Sequence, residues 1–387
     1  MRAEIQIPSI LKIGGGSFAE AATLLVRLKC KRPLIVTDPF LMKGELPERL
    51  RQQMQDAGLS SGIFHETVAD PTTAVVDAGV RVFVEGGHDS LVSLGGGSPI
   101  DTAKAIGMLA ANGGRVRDYK VPNPIPTAGP THVAIPTTAG TGSEVTRFTV
   151  ITDVDSGEKM LIAGSALVPT AAVVDYELSL TMPPRLTADT GTDSLTHAIE
   201  AYISRRANAF TDAFALTAMK TIWRELPTSF RDPGNLKARE AMMLAATQAG
   251  IAFSNASVAL VHGMSRPLGA HFHIPHGLSN AMLLPAVTKF STEAAMSRYA
   301  ECARTMGIAR ADDSDGNAVA EMIDALYERN AELQVPSPKQ FGIDEERYIA
   351  LIPTMAAQAL ASGSPQNNPR IPTVEEIEMI YSQVWQG

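Results

Sequence analysis

The sequence predicts an α/β domain over residues 1–183 followed by an all-α domain over residues 184–387. Three observations predict it. Short β-rich apolar runs alternate with longer helical stretches through the first half, the pattern of a mostly parallel sheet with helices on both faces. After Pro183-Pro184 the strand signals fade, and long Ala-, Met- and Leu-rich stretches run to the C-terminus. The length of 387 residues exceeds what one hydrophobic core usually organises.

In chain order, RPLIVTD (32–38) reads as a strand ending at an acid, and GELPERLRQQMQDAG as a helix closed by Gly58. SGIFHETV is the next strand and TTAVVDAGVRVFVEGG a helix ending at Gly86-Gly87. SLVSL and THVAIPT are strands flanking a helix, SPIDTAKAIGMLAANGG. In the second half, RLTADTGTDSLTHAIEAYISRRA, FTDAFALTAMKTIWREL and REAMMLAATQAG are helical. The window 243–261 is apolar, but Thr247, Gln248, Ser254 and Asn255 interrupt it, which predicts one buried, tightly packed helix and no membrane span.

Composition narrows the function classes. With 45% apolar and 19% charged residues the chain reads as a globular enzyme, and a net charge of −8 argues against a nucleic-acid partner. Cys30 and Cys302 form no CxxC pair, as suits a reducing compartment. Glu4 and Gln6 stand where a signal peptide would carry its apolar run. The expected location is the cytoplasm.

Three segments point to a dinucleotide. In SLGGGSPIDTAKAI (93–106) a strand runs into three glycines, then Ser98 as helix N-cap and Pro99 in the first turn. Glycines let the backbone approach a ligand, and free amides at a helix start favour a pyrophosphate; the alternative is a plain tight turn. Gly14-Gly15-Gly16-Ser17 lacks a following cap and reads as a turn. Asp38, at the end of the first strand read, suits an adenosine ribose, and its charge favours NAD over a 2′-phosphate. It precedes the glycine loop, so the arrangement departs from the common fingerprint. IPTTAGTGSEVT (135–146) gathers hydroxyls and glycines that can donate to phosphate, ribose or carboxamide.

A metal is the other signal. Asp193 and His197 are four residues apart in a helical stretch, hence on one face. Four of the eight histidines fall within HGMSRPLGAHFHIPH, 262–276. One carboxylate with two or three imidazoles suits Fe(II) or Zn(II). His262 before Gly263, and His276 between Pro275 and Gly277, sit at element ends and are the preferred ligands. His271 and His273 alternate and would point to opposite sides if extended.

Together these residues resemble the iron-containing (group III) alcohol dehydrogenase family, over nearly the whole chain and in motif order: VTDP around Asp38, LGGGSPIDTAKAI, IPTTAGTGSEVT, TDSLTHAIEAY, LVHGM, IPHGLSNAMLLP and NPR at 368–370. The resemblance implies that family's fold, similar to dehydroquinate synthase, with an N-terminal dinucleotide-binding domain. It implies Asp193, His197, His262 and His276 as ligands of Fe2+, with Zn2+ as the other candidate. NAD would be held by Asp38, Gly96, Gly97, Ser98, Thr137, Thr138, Thr141, Ser143, Lys159 and Leu178. His65, His88 and His132 match no site and are expected at the surface or in turns.

Departures from the family pattern concern the substrate. Arg266 stands where the family often has a second histidine after HGM, and an arginine cannot act as a base at neutral pH. Either a relay at this place is dispensable, or it falls to His271 or His273, with His271 preferred, or Arg266 binds an anionic substrate group. Phe148 hints at a more apolar pocket than that of diol-using relatives, and Phe253 aligns with an aromatic lining the substrate channel. The resemblance implies hydride transfer between a small alcohol or aldehyde and NAD, by a homo-oligomer, a dimer or larger. The rival readings are a polyol- or glycerol-phosphate dehydrogenase of the same fold, a metal-dependent hydrolase, and a binding protein with a degenerate site.

Overall fold

The structure is a computed structural model that describes residues 3–386. It divides into two compact units, Ile5–Thr181 and a second that joins residues 3–4 to the chain from Met182 onward.

The first unit runs β1 (Ile10–Ile13), α1 (Ala21–Arg27), β2 (Pro33–Val36), α2 (Leu46–Asp56), β3 (Gly62–Phe64), α3 (Thr73–Glu85), β4 (Ser90–Gly95), α4 (Gly97–Asn112), β5 (Thr131–Pro136), β6 (Phe148–Thr152), β7 (Lys159–Ala163) and β8 (Ala171–Val174). Six strands form a parallel sheet in the order β1-β8-β5-β4-β2-β3, while β6 and β7 make a separate antiparallel pair. β2, β4 and β8 are buried along their whole length, which is why they read as unbroken apolar runs. The side-chain period of two divides them between two cores. Ile35, Val92 and Leu94 pack with α1 and α2 residues such as Leu25 and Met54 on one face. Leu34, Val36 and Leu91 pack with Val76, Phe83 and Ile106 on the other. Sequence reading missed β1, α1, β6, β7 and β8: the strands are short, and the β6–β7 pair has its own alternating burial.

Ser98 is not the cap of α4. Gly96 takes that position, so Ser98 is the second helical residue. His132 is also misassigned by sequence: it is buried in β5, with Nε2 2.8 Å from Ser93 Oγ on the neighbouring β4.

The second unit contains α5 (Pro184–Ile203), α6 (Ala209–Arg231), α7 (Leu236–Ala256), α8 (Leu260–Phe272), α9 (His276–Ser291), α10 (Met296–Met306), α11 (Asp315–Glu332), α12 (Glu345–Ala361) and α13 (Val374–Val384), with no strand among the described residues. Its central helix is α5, packed against α6, α7 and α9 and buried almost all round. The apolar window 243–261 is two helices, not one. Ser257 adopts φ 74°, and α7 and α8 meet there at 104°. Asn367 Nδ2 donates to Ser257 Oγ at 3.0 Å and to the Val258 carbonyl at 3.1 Å, holding the break. No single helix among the described residues is long and apolar enough to cross a membrane.

Candidate metal centre and cofactor edge

In the helical unit, α5 carries Asp193, His197 and Glu200 at spacings of four and three, one face of the helix. The break after α7 starts α8 two residues before His262, and His276 opens α9. Three imidazole Nε2 atoms converge on Asp193 Oδ1: His262 at 3.4 Å, His276 at 3.7 Å and His197 at 3.8 Å. Ligands about 2.1 Å from a tetrahedral metal stand about 3.4 Å apart; Asp193, His262 and His276 have the mutual spacing of a metal site, and His197 approaches the same Asp193 oxygen from its own helix. Asp193, His197 and His262 are buried, while His276 is exposed.

Glu200, which sequence reading passed over, fixes His262. Its Oε2 accepts from His262 Nδ1 at 2.7 Å and from the Ala259 amide at 2.8 Å, and its Oε1 accepts from the Val261 amide at 2.6 Å. One carboxylate thus caps the start of α8 and holds His262 as the tautomer whose Nε2 lone pair faces Asp193. Burial lowers the His262 pKa, but Glu200 and Asp193 together raise it to about 9. Burial raises the Asp193 pKa and the three imidazoles more than reverse it, holding it well below the usual carboxylate range. Both shifts have one cause: the cluster is built around positive charge. Ser265 Oγ lies 3.5 Å from His276 Nδ1, and Phe253 stacks on His197 with ring centroids 4.0 Å apart.

Asn280 is a second residue that sequence reading missed. Its Nδ2 donates to Asp193 Oδ1 at 2.6 Å and lies 3.2 and 3.3 Å from the Nε2 atoms of His262 and His276. Its buried Oδ1 has no hydrogen-bond partner. An amide donor among two imidazole lone pairs and a carboxylate does part of what a cation would do there, so the donor set fits a divalent metal. Glu200 lies three residues beyond His197 and Asn280 four beyond His276 on their own helices, and that periodicity was the available signal. Gly277 lets α9 pack against α5: a Cβ there would fall on the Asp189 carbonyl.

His271 and His273 lie elsewhere. His271 is nine residues beyond His262 on α8, about 13 Å at the helical rise, and its Nε2 is 2.8 Å from Gln358 Oε1. His273 is an exposed left-handed C-cap, so the two do not alternate along a strand.

In the first unit the sheet brings several of the residues expected to hold a cofactor to one edge. Val36 is in register with Ser93, and Gly95 with Pro136, so Asp38, Gly96-Gly97 and Thr137-Thr138 leave β2, β4 and β5 side by side. Strand order turns back between β2 and β4, the place where such sheets bind ligands. The start of α4 has no side-chain cap, leaving its amides for an anion. A Cβ on Gly96 would come 3.3 Å from Thr138, and one on Gly97 2.9 Å from Thr141, so this cradle admits only glycine comfortably. Asp38 Oδ1 accepts from the Leu41 amide at 2.9 Å, and no described residue bonds its Oδ2. Leu178 is buried in a turn after β8, and Lys159 pairs with Asp70 at 2.9 Å.

The hydroxyl of Ser143 is engaged within the protein, donating to Asp101 at 2.6 Å and accepting from Lys104 at 3.1 Å. Lys104 Nζ also bonds the carbonyls of Ser143, Thr146 and Phe148. This buried ammonium, its pKa lowered to about 8 by desolvation, ties the loop after β5 to α4. Phe148 begins β6, with the Arg147 guanidinium 5.6 Å from its ring centre.

Comparison with known proteins agrees with both halves. Residues 8–176 match the iron-containing alcohol dehydrogenase family, and residues 187–385 match the C-terminal domain of the Fe-containing alcohol dehydrogenase family. The chain is 41% identical over 375 residues to the NAD-dependent methanol dehydrogenase of Bacillus methanolicus, covering 97% of each. The solved structure of a 1,3-propanediol oxidoreductase superposes with a TM-score of 0.95 at 34% identity, covering 99% of this chain and 100% of that one. The sulfoacetaldehyde reductase of Bifidobacterium kashiwanohense, solved with NAD+, gives 0.89 at 28% identity, covering 100% and 99%. The glycine cradle, the Asp/His cluster and these matches together place the chain in the iron-containing alcohol dehydrogenase family, as an oxidoreductase that uses NAD and iron.

Proposed function

We propose that Asp193, His197, His262 and His276 hold the iron, and that the protein interconverts short-chain alcohols and aldehydes with NAD. The observation that carries the reading is the convergence of three Nε2 atoms on one oxygen of Asp193. The relatives named above act on methanol, 1,3-propanediol and sulfoacetaldehyde, all short molecules.

Bound there, the iron supplies a Lewis acid that polarises a carbonyl and acidifies an alcohol. The residues of the chain do the rest. Glu200 keeps the proton on His262 Nδ1, so that Nε2 faces the site. Phe253 covers one face of His197 and excludes water from it. The amides at the start of α4 receive the pyrophosphate, and Asp38 Oδ2 accepts from a ribose hydroxyl while repelling a 2′-phosphate. Lys104 fixes the loop carrying Thr137, Thr138 and Thr141.

The test is NADH oxidation by anaerobically Fe(II)-loaded protein with straight-chain aldehydes of increasing length. Turnover that chelation removes and Fe(II) restores is expected. Turnover that is indifferent to chelation would refute the assignment of the iron site.

A further inference from the structure

One face of α6 takes no part in the metal cluster or in the cofactor cradle. Lys220, Arg224, Pro227 and Arg231 follow one another along it at spacings of four, three and four, with Trp223 beside them. All five line a cavity of about 540 Å³, a size that holds a small molecule. Arg304 closes it from the last turn of α10, and Arg329 and Glu332 close it from the last turn of α11.

Charge sets this cavity apart. The chain as a whole is acidic, with a net charge of −8, yet five cations line these walls against one carboxylate, Glu332. Helix ends account for three of them. Arg231, Arg304 and Arg329 stand in the last turns of α6, α10 and α11, where a cation answers free carbonyls. Lys220 and Arg224 stand in the body of α6 and have no such reason to be there. Neighbouring carboxylates leave the balance positive. Glu332 pairs with Arg329 at 3.1 Å and with Arg231 at 3.4 Å, Glu225 with Arg224 at 2.6 Å, and Asp315 with Arg304 at 2.7 Å. Three carboxylates against five cations leave two positive charges, the complement of one dianionic group.

The guanidiniums are also held in place. Pro227 has no N–H for the Trp223 carbonyl one turn earlier. Arg329 Nη1 donates to that carbonyl instead, at 2.7 Å, and its guanidinium lies 3.9 Å from the centre of the Trp223 ring. Arg231 Nε donates to the Pro227 carbonyl at 3.2 Å. Arg304 is anchored through Nη2 on the Asp313 carbonyl and on Asp315, while its Nε has no partner. An arginine fixed at one edge presents its remaining N–H groups with little further loss of freedom. Phosphate oxygens match such forks, and a phosphate monoester carries about −1.5 to −2 charges at neutral pH. Trp223, Pro227 and Met306 give the rest of a molecule an apolar wall.

We propose that this cavity binds a small organic phosphate monoester, on residues shared with neither the Asp193 cluster nor the start of α4.

The experiment is calorimetric titration of the Fe(II)-loaded, NADH-saturated protein with phenyl phosphate and with benzenesulfonate, a monoanion of similar shape. Saturating NADH keeps the start of α4 occupied. The double variant Lys220→Gln/Arg224→Gln removes two charges from exposed positions, where folding is not at stake. Arg304→Gln removes a fixed charge and keeps a donor for Asp315. The wild type is expected to bind one phenyl phosphate per chain, at least tenfold more tightly than benzenesulfonate. Each variant is expected to bind phenyl phosphate at least tenfold more weakly, with NADH affinity unchanged. Phenyl phosphate held by the iron or by the start of α4 would be indifferent to these substitutions. No saturable binding, equal affinity for the two anions, or an unchanged affinity in either variant overturns the proposal.

Discussion

Glu200 Oε2 and His262 Nδ1 stand 2.7 Å apart in the buried centre of the helical unit, and the same carboxylate caps the two amides that begin α8. A residue that touches no metal therefore decides both where His262 sits and which of its nitrogens is free.

Replacing Glu200 by Gln keeps the shape and removes the charge. Outer partners of ligating histidines are worth about 10–100-fold in metal affinity, and Glu200→Gln is expected to lose that much. Competition against a chromophoric chelator measures it. An unchanged affinity would show that the helix cap, and not the charge on His262, is the purpose of Glu200.

Gly97→Ala places a methyl group 2.9 Å from the Thr141 side chain, where Thr141 must move and the cradle fills. NADH affinity is expected to fall roughly tenfold, about 1.4 kcal/mol, with metal affinity unaffected. Fluorescence titration of NADH gives the answer, and undiminished affinity would move the pyrophosphate elsewhere.

His132 makes the first unit sensitive to acid. Burial, aided by the charge of Lys104, lowers its pKa from 6.5 to about 3. The unfolded chain takes up a proton below 6.5 while the folded chain stays neutral until about 3. The stability tied to this group is therefore complete above pH 6.5 and lost as pH falls through that window, at about 1.4 kcal/mol per pH unit. Between pH 7 and pH 5 the metal-free wild type should lose roughly 2 kcal/mol more than His132→Asn does. Urea unfolding at the two pH values measures the difference; equal losses would mean that His132 is not buried neutral.

Both site edges were legible in local spacing. The glycine run after an apolar strand and the Asp193/His197 pair four residues apart are properties of short segments, and His262 and His276 stood out by their Pro and Gly neighbours. Glu200 and Asn280 obeyed the same helical spacing, but the ligands beside them explained those segments already. Ser98 was read as the cap because serine usually is one, whereas here Gly96 takes that place as the chain leaves β4.

The sequence by itself determined the division into an α/β part and a helical part and the residue types of the Asp/His cluster, because periodicity and composition are carried by neighbours in the chain. Only the tertiary structure decided what depends on residues far apart. It broke the apolar window at Ser257, which Asn367 holds from 110 positions away. It buried His132 against Ser93 across a strand pair. It committed the Ser143 hydroxyl to Asp101 and Lys104. Each of these pairs joins segments far apart in the chain, a matter of packing that no local pattern encodes.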